Sequence, residues 1–238
     1  MRIERLSCLP GAKAARGVAV IIDVFRAFTC APLLFRLEAR ELLLEADTAR
    51  CLGLSGDAVL VGERNEEPIE GFDLPNSPFL ILRAGPACFE RRRVVLRTTA
   101  GVAGALIALG HADEVLLASF INARATAAYL RARDASVISL VAMGTHGETP
   151  APEDERCGDY IESLLSGGAY DHIAAVAEIL ASAGARRFFT AVKPFLPAAD
   201  PAICLQRNLF AHALRAEAED GWVRAIPQPP SPGIPPGR

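Results

Sequence analysis

The sequence lacks several features that would assign it to a common class of protein. Its six cysteines form no Cys-x-x-Cys pair, which argues against a zinc ribbon or a redox dithiol and favours reduced thiols. The formal net charge is -3, without the basic excess typical of nucleic-acid binders. No uncharged apolar run approaches the roughly 18 residues of a membrane span, and the N-terminus has no signal-peptide core. We therefore expect a cytoplasmic protein that binds neither nucleic acid nor membranes.

The common catalytic fingerprints are also missing. There is no Gly-x-Gly-x-x-Gly motif, no phosphate-binding Walker loop and no Gly-x-Ser-x-Gly elbow, and the four histidines have no metal-ligand spacing. A dinucleotide oxidoreductase is therefore a distant alternative. The 238 residues, about half of them apolar, suit one large domain or two small ones.

Short apolar runs alternate with helical stretches along most of the chain. The runs typical of buried strands are Val18–Val24, Ala58–Val61, Val94–Leu96, Val115–Leu117 and Val137–Val141. The helical stretches are Ala27–Arg40, Gly101–Leu109, Asn122–Arg133, Glu153–Leu165 and His172–Ala183. We also predict a long loop at Glu63–Pro78, a strand at Arg187–Thr190 and a helix at Cys204–Glu219.

This alternation predicts an α/β fold with a mostly parallel sheet and helices on both faces, in three layers. The fold is expected to be one catalytic unit over residues 1–226, with a division into two α/β subdomains near 145–150 as an open alternative. Residues 227–238 form a Pro-rich tail, which we expect to be disordered or extended.

Polar residues follow five consecutive predicted strands. Ligands of open parallel sheets bind beyond the carboxyl ends of the strands, so these residues are the candidate site. The candidates at strand ends are Asp23, Arg26, Glu63, Arg64, Thr98, Thr99, Ser119, Asn122 and Asp154, and the long loop adds Asn76 and Ser77.

Each candidate type has a chemical reading and a structural alternative. The carboxylates Asp23, Glu63 and Asp154 suit Mg²⁺, which prefers oxygen ligands, although Asp23 would also serve as a helix cap or turn former. Arg26 and Arg64 suit phosphate oxygens, although surface ion pairs are the ordinary alternative. The threonines before Gly101 would bind an anion at a helix N-terminus or simply cap the helix.

Three further residues lie near the end of the fifth strand, and each has a different expected role. Glu153 is more simply explained as a first-turn acid that the helix dipole favours. His146 is the one histidine placed to act as an acid or base. Cys157 is expected to be a packing residue rather than a nucleophile.

In this order, the motifs resemble those of the 2-phosphosulfolactate phosphatase family. The motifs that carry the resemblance are Ile22–Ala27, Gly62–Arg64, Gly71–Leu74, Asn76–Pro78, Thr98–Thr99, Ser119–Ala123 and Glu153–Gly158. The resemblance implies an oligomeric α/β enzyme, such as a homodimer, that needs Mg²⁺. It would convert (2R)-2-phospho-3-sulfolactate and water to 3-sulfolactate and phosphate, a step used in some organisms for coenzyme M biosynthesis.

On this hypothesis Asp23, Glu63 and Asp154 hold Mg²⁺ and the two arginines balance the phosphoryl charge. The groups that position the substrate are Ser77, Thr98, Thr99, Ser119, Asn122 and Asn76. Direct attack by water and a phospho-enzyme through a carboxylate such as Asp23 both stay open.

The sequence departs from the family pattern at a few positions. The family usually has Thr-Thr-Asn-Gly-Thr, whereas this chain has Ala100 and Val102 at the third and fifth positions. Pro75 replaces a common glycine, and Phe79–Leu80 occupy positions near which the family usually has a glutamate. We therefore expect retained phosphate chemistry with a less secure sulfonate specificity. The rivals are a phosphatase for another small phosphorylated hydroxy acid and a non-catalytic protein that binds anionic metabolites.

Overall fold

The computed structural model describes residues 1–190 and 193–230. The strands are β1 (Arg2–Ser7), β2 (Val18–Ile22), β3 (Glu41–Leu44), β4 (Ala58–Gly62), β5 (Leu74–Pro75), β6 (Arg93–Arg97), β7 (Glu114–Ala118), β8 (Val137–Ala142), β9 (Leu214–Glu219) and β10 (Trp222–Pro227). The helices are α1 (Cys8–Ala14), α2 (Ala27–Arg36), α3 (Thr48–Leu52), α4 (Pro78–Ala84), α5 (Pro86–Phe89), α6 (Gly101–Leu109), α7 (Ala123–Ala132), α8 (Pro152–Ser166), α9 (His172–Ala181), α10 (Ala183–Thr190) and α11 (Asp200–Cys204).

All ten strands form one sheet in the order β1-β8-β2-β7-β9-β10-β3-β6-β4-β5. The first four strands of this order are mutually parallel, and so are the last four. The hairpin β9–β10 joins the two blocks through antiparallel pairings. The predicted α/β fold with a mostly parallel sheet is therefore confirmed, and the hairpin is an addition that the sequence pattern did not indicate.

Helices cover both faces of the sheet because the central strands are apolar on both sides. In β2, Ala19 and Ile21 pack in a core cluster with α1, α2 and α6, whereas Val20 and Ile22 pack in a second cluster with α7, α8 and α9. The result is the three-layer arrangement expected from the sequence. No helix in the described part of the chain is long and apolar enough to cross a membrane.

Two helices bring the two parallel blocks together at one place. Because three antiparallel pairings separate β7 from β3, the blocks run in opposite directions along the sheet. Twist of roughly 20–25° per strand accumulates to on the order of 100° over the five steps from β2 to β6. Helix α2 leads from β2 to β3 and α6 leads from β6 to β7, and a Cβ on Gly101 would lie 2.5 Å from Asp23 Oδ2. The carboxyl ends of β2 and β6 therefore meet.

The structure contradicts two predictions in the C-terminal part of the chain. The predicted strand Arg187–Thr190 belongs to helix α10, in which Ala185 and Phe188 point into the protein at helical spacing. The predicted helix Cys204–Glu219 is wrong, because α11 ends at Cys204 and β9 begins at Leu214. The alternating burial of β9 is the period of a strand, which the run of alanines and glutamates masked.

Other boundaries also differ from the prediction. The strands β1 and β3 lay outside the predicted set, and the predicted loop Glu63–Pro78 contains the two-residue strand β5. The sheet includes strands from both sides of residues 145–150. Pro227, the predicted start of the tail, is the last residue of β10, and residues 231–238 lie outside the described residues.

Candidate functional site

A narrow cleft lies where β2, β4, β6 and β8 end and where α2 and α6 begin. Its empty volume is ≈ 460 Å³ including the solvent at its mouth. Of the residues predicted for the site, the lining contains Asp23, Arg26, Glu63, Asn76, Thr98 and Thr99. The lining also contains Phe25, Glu66, Ala100, Gly144, Thr145, His146, Glu153 and Arg187.

Asp23 is the residue that connects the two blocks of the sheet. Its Oδ1 accepts a hydrogen bond from the Ala27 amide at 3.0 Å, and the Gly101 amide donates to the same carboxyl group. Side chains at position 101 are excluded by the close approach of Asp23, so this glycine is required by space. Burial raises the pKa of Asp23 to about 7, and the charges of Glu63 and Glu153 act in the same direction.

Glu63 follows β4 and is bound to the loop after β6. Its Oε1 accepts from the Thr99 amide at 2.6 Å, and its Oε2 accepts from the Thr99 hydroxyl at 3.1 Å. The Glu66 amide also donates to Oε2, and Arg97 Nη1 donates to the Glu63 carbonyl at 2.6 Å. The two hydrogen bonds from Thr99 and the one from Arg97 fix the two loops relative to each other.

Two of the departures from the family pattern lie just after β6, Ala100 in the loop and Val102 in the first turn of α6. Thr98 Oγ1 accepts from the Val102 amide at 3.0 Å and so satisfies one of the amides in the first turn of α6. Val102 is fully buried in the core cluster on the α6 side, whereas Ala100 lines the cleft. The departure at position 100 therefore faces the cleft, and the departure at position 102 is a packing change.

Arg26 lies in the cleft wall and is 4% exposed. Its Nη1 donates to Asp200 Oδ2 and to the Phe195 carbonyl, both at 2.8 Å. The guanidinium also lies 5.6 Å from the centre of the Phe188 ring. A buried ion pair and a carbonyl therefore fix a cationic group at the edge of the cleft.

The predicted loop residues Asn76 and Ser77 differ in their surroundings. Asn76 is 3% exposed and lines the cleft, and its Oδ1 has no hydrogen-bond partner in the structure. Ser77 lies behind it, where its hydroxyl donates to Asp200 Oδ1 at 2.8 Å and accepts from the Leu80 amide as the cap of α4. Asn76 thus offers a free oxygen to the cleft, and Ser77 holds the loop.

Two neighbouring acids begin α8, and the structure places them differently from the prediction. Asp154 does not line the cleft: its two oxygens accept from the amides of Val24 and Gly144, each at 2.7 Å. Glu153 lines the cleft and is 4% exposed, and its Oε2 has no hydrogen-bond partner. Burial raises the pKa of both carboxyl groups. Asp154 therefore ties two strand ends together, while Glu153 offers an oxygen to the cleft.

The opposite wall comes from α10, which the strand prediction had obscured. Arg187 forms an ion pair with Glu66 at 2.5 Å, and its Nε is buried without a hydrogen-bond partner. Its charge also lowers the pKa of Glu153 against the larger effect of burial. His146, in the loop after β8, lines the cleft with a φ of 56°.

Besides Ser77 and Asp154, three further predicted site residues lie outside the lining of the cleft: Arg64, Ser119 and Asn122. Arg64 is exposed and donates to the Thr48 hydroxyl at 2.7 Å. Asn122 Oδ1 accepts from the Ser119 amide at 2.9 Å, and both side chains are fully buried. The carboxyl end of β7 is occupied by this local turn, so its polar residues cap the following helix.

The cleft is acidic before any ligand is considered. Four carboxyl groups and two guanidinium groups line it among the described residues. One arginine is paired with Glu66, and the other with Asp200 behind the wall. Within residues 1–190 and 193–230, no three His, Cys, Asp or Glu side chains form a ready-made metal cage. A cation bound here would therefore need water or substrate oxygens to complete its coordination, as Mg²⁺ commonly does.

The residues missed by the sequence analysis come mainly from the segment after α8. Arg187 and Asp200 follow no parallel strand, so the rule of strand ends does not find them. The signal available for Asp200 was an acid followed by a proline at a helix start, which is common in helices of any function. Glu153 is harder to recognise as a cleft residue from sequence, because an acid in the first turn of a helix is already favoured by the helix dipole.

Comparison with known proteins agrees with the motifs. The family model for 2-phosphosulpholactate phosphatase matches residues 6–213. A probable 2-phosphosulfolactate phosphatase of Bacillus subtilis is 31% identical over 219 residues, 90% of this chain and 92% of the relative. Proteins with the same name from Thermus thermophilus (31% identical, covering 89% of this chain and 84% of the relative) and Deinococcus radiodurans (38%, covering 63% of each) are also similar. The chain therefore belongs to the 2-phosphosulfolactate phosphatase family of phosphoric monoester hydrolases.

Proposed function

We propose that this protein hydrolyses 2-phosphosulfolactate to sulfolactate and phosphate with the help of Mg²⁺. The name of the family and of its relatives supports the substrate. The excess of carboxyl groups in the cleft supports the cation, and it is the observation on which the proposal most depends.

The charge of the cleft does not match the charge of the substrate. A phosphate ester that also carries a carboxylate and a sulfonate is highly anionic, and like charges at close range repel. The four carboxyl groups in the lining would oppose its entry, because the two arginines already face Glu66 and Asp200. A bound divalent cation would reverse this balance and give the phosphate oxygens a partner.

The donor set fits Mg²⁺, which prefers hard oxygen ligands. Glu153 Oε2 and Asn76 Oδ1 are buried oxygen atoms without partners, and both residues line the cleft. Asp23 and Glu153 would hold the ion, with Asn76 beside them. Glu63, whose oxygens already accept three hydrogen bonds, and Asp154, which accepts two amides, would support the site from behind. When bound, Mg²⁺ would polarise a phosphate oxygen and favour deprotonation of water.

The chain's own groups would bind and orient the ester. Arg26, fixed by Asp200 and the Phe195 carbonyl, would neutralise charge that develops on the phosphoryl oxygens. The N-termini of α2 and α6 face the same region and favour negative charge. Asp23 would either hold the ion or receive the phosphoryl group, and trapping of an acyl-phosphate in a single turnover would separate these routes.

The test is phosphate release from 2-phosphosulfolactate by the purified protein with EDTA and after addition of Mg²⁺. We expect turnover that EDTA stops and Mg²⁺ restores. The matched control for substitutions of acids in the cleft is Asp47→Asn. It replaces an exposed carboxylate at the start of α3 with another good helix cap and should leave turnover unchanged. Turnover that is equal with EDTA and with Mg²⁺ would contradict the metal, and folded protein without any turnover would contradict the activity.

A second candidate is hydrolysis of another small phosphorylated hydroxy acid. It is favoured by Ala100, which lines the cleft at the position where the family usually has an asparagine. A panel of phosphate esters, assayed with the natural protein and with Ala100→Asn, decides between the two. Preference for the sulfonated ester in the natural protein supports the first candidate, and preference for an ester without the sulfonate supports the second.

We also propose that the protein is a cytoplasmic homodimer. Leu180 of α9 and Phe189 of α10 are 37% and 55% exposed and line the same groove, and exposed apolar side chains that lie together are typical of protein contacts. Light scattering during gel filtration would give the mass of a dimer if this is correct and the mass of one chain if it is not.

A further inference from the structure

A fully buried acid lies behind the cleft wall, 174 residues from its partner in the chain. Asp200 begins α11 and is 0% exposed. Its Oδ2 accepts from Arg26 Nη1 at 2.8 Å, and its Oδ1 accepts from the Ser77 hydroxyl at 2.8 Å and the Phe79 amide at 3.0 Å. One carboxylate therefore connects a cleft arginine to the start of α4.

The two groups that Asp200 holds both border the cleft. Arg26 lines it directly, and Asn76, next to Ser77 in the chain, lines it with an unpartnered oxygen. The carboxylate uses both oxygens, so neither the guanidinium nor the loop can turn without breaking a charged hydrogen bond. Such hydrogen bonds are stronger and more directional than neutral ones.

Stability alone is a weak explanation for this arrangement. A buried ion pair usually gains little over apolar packing, because two charges must leave water. Arg26 also lines a cleft with an excess of carboxyl groups, where a fixed guanidinium would bind the phosphoryl oxygens of the substrate. We propose that Asp200 is a positioning residue, which aims Arg26 at the phosphoryl group and keeps Asn76 in the cleft. This inference rests on the proposed phosphatase function.

Asp200→Asn is the variant that tests this role. The asparagine keeps the size of the side chain and one acceptor oxygen but removes the charge that orients Arg26. We expect kcat/KM for the phosphate ester to fall about 10- to 100-fold per folded molecule. We also expect inorganic phosphate, added with Mg²⁺, to lose most of its stabilising effect on thermal unfolding. Mg²⁺ alone should bind within about twofold as before, because Asp200 does not line the cleft.

Two comparisons separate positioning from a structural role. Asp171→Asn removes an exposed carboxylate at the start of α9 and should leave kcat/KM within about twofold. In an Arg26→Gln background, Asp200→Asn should add less than about threefold, because both variants disrupt one unit. If Asp200→Asn does not fold, Ser77→Ala removes one partner of Asp200 and should lower kcat/KM several-fold while the ion pair remains.

The outcomes are distinct for the function and for the inference. A natural protein that releases no phosphate contradicts the proposed function. A natural protein that is active, with an Asp200→Asn variant of equal kcat/KM per folded molecule, overturns the positioning role. Effects of the Arg26 and Asp200 variants that multiply fully, with phosphate stabilisation unchanged in Asp200→Asn, also overturn it.

Discussion

Asp23 and Asp200 are both buried acids, but their surroundings are opposite. Asp200 has an arginine, a hydroxyl and an amide as donors, so its charge is compensated within the protein. Asp23 receives backbone amides only, and the charges that act on it come from the carboxyl groups of Glu63 and Glu153. Burial accordingly raises the pKa of Asp23 to about 7.

The difference indicates which part of the cleft is complete in the protein alone. The wall behind Arg26 has matched charges and fixed geometry, as expected of a site that binds an anion. The floor of the cleft gathers the carboxyl groups of Asp23, Glu63 and Glu153, which are the type of oxygen donor that the proposed Mg²⁺ would prefer. Substitutions in the floor, in the wall or beside the cleft test this difference one side at a time.

The largest effect is expected from Asp23→Asn. It should lower the rate of phosphate release by about 10²–10³-fold or more, because it removes the central charged group of the floor. The fold should survive, since asparagine fits the same space and can accept from the Ala27 amide. Turnover and circular dichroism, measured beside Asp47→Asn, check this, and full activity of Asp23→Asn would remove Asp23 from the chemistry.

A smaller effect separates the two acids at the start of α8. Glu153→Gln should weaken Mg²⁺ binding about tenfold or more without lowering the melting temperature, because its Oε2 has no partner in the protein. Asp154→Asn should instead lower the melting temperature, because Asp154 accepts the Val24 and Gly144 amides. Calorimetric titration and thermal unfolding of both variants check this, and the reverse pattern would restore Asp154 as the metal ligand of the sequence prediction.

The pH dependence of stability should report on the protonation of Asp23 in the floor of the cleft, with no substrate present. Asp23 has a folded pKa of about 7 against a usual value of 3.8, so its protonated form is favoured by folding. This contribution is fully present below about pH 4 and is lost as the pH rises through about 7. Since Mg²⁺ competes with the proton, it should raise the melting temperature more at pH 8 than at pH 5. An equal gain at both pH values would contradict a metal at Asp23.

The smallest effect is expected at Arg64, which the sequence placed beside Arg26 as a phosphate ligand. Its guanidinium is exposed and bound to the Thr48 hydroxyl, away from the cleft. Arg64→Ala should change kcat/KM by less than about twofold, because exposed polar pairs contribute little. A loss of tenfold would mean that Arg64 reaches the ester when the substrate is bound.

Polar residues that directly follow a strand lie in the cleft where that strand fixes their position. Asp23 and Glu63 follow apolar runs that read as strands, and the ends of those strands meet in the structure. The rule does not tell whether a polar residue turns outward or caps a helix. Arg64 and Asn122 show this limit, because each follows a correctly predicted strand and has a local partner instead.

Local sequence patterns do not indicate the wall of the cleft that is formed after α8. Arg187 reaches the cleft, and Asp200 reaches Arg26 behind the cleft wall, because the segment after α8 folds back across the strand ends, which depends on tertiary packing. Their helices have eight and five residues, which span too few turns for a helical period to stand out in the sequence. The antiparallel hairpin was hidden for a related reason, since its first strand is built from residues that also favour helices.

The proposed function requires a divalent cation at the carboxyl groups around Asp23. Its most direct test is a calorimetric titration of the natural protein with Mg²⁺ near pH 7, in buffers of different ionisation enthalpy and without substrate. The account predicts one ion per chain with release of protons, and weaker binding by Asp23→Asn. Binding without proton release, or equal binding by the natural protein and Asp23→Asn, would contradict it.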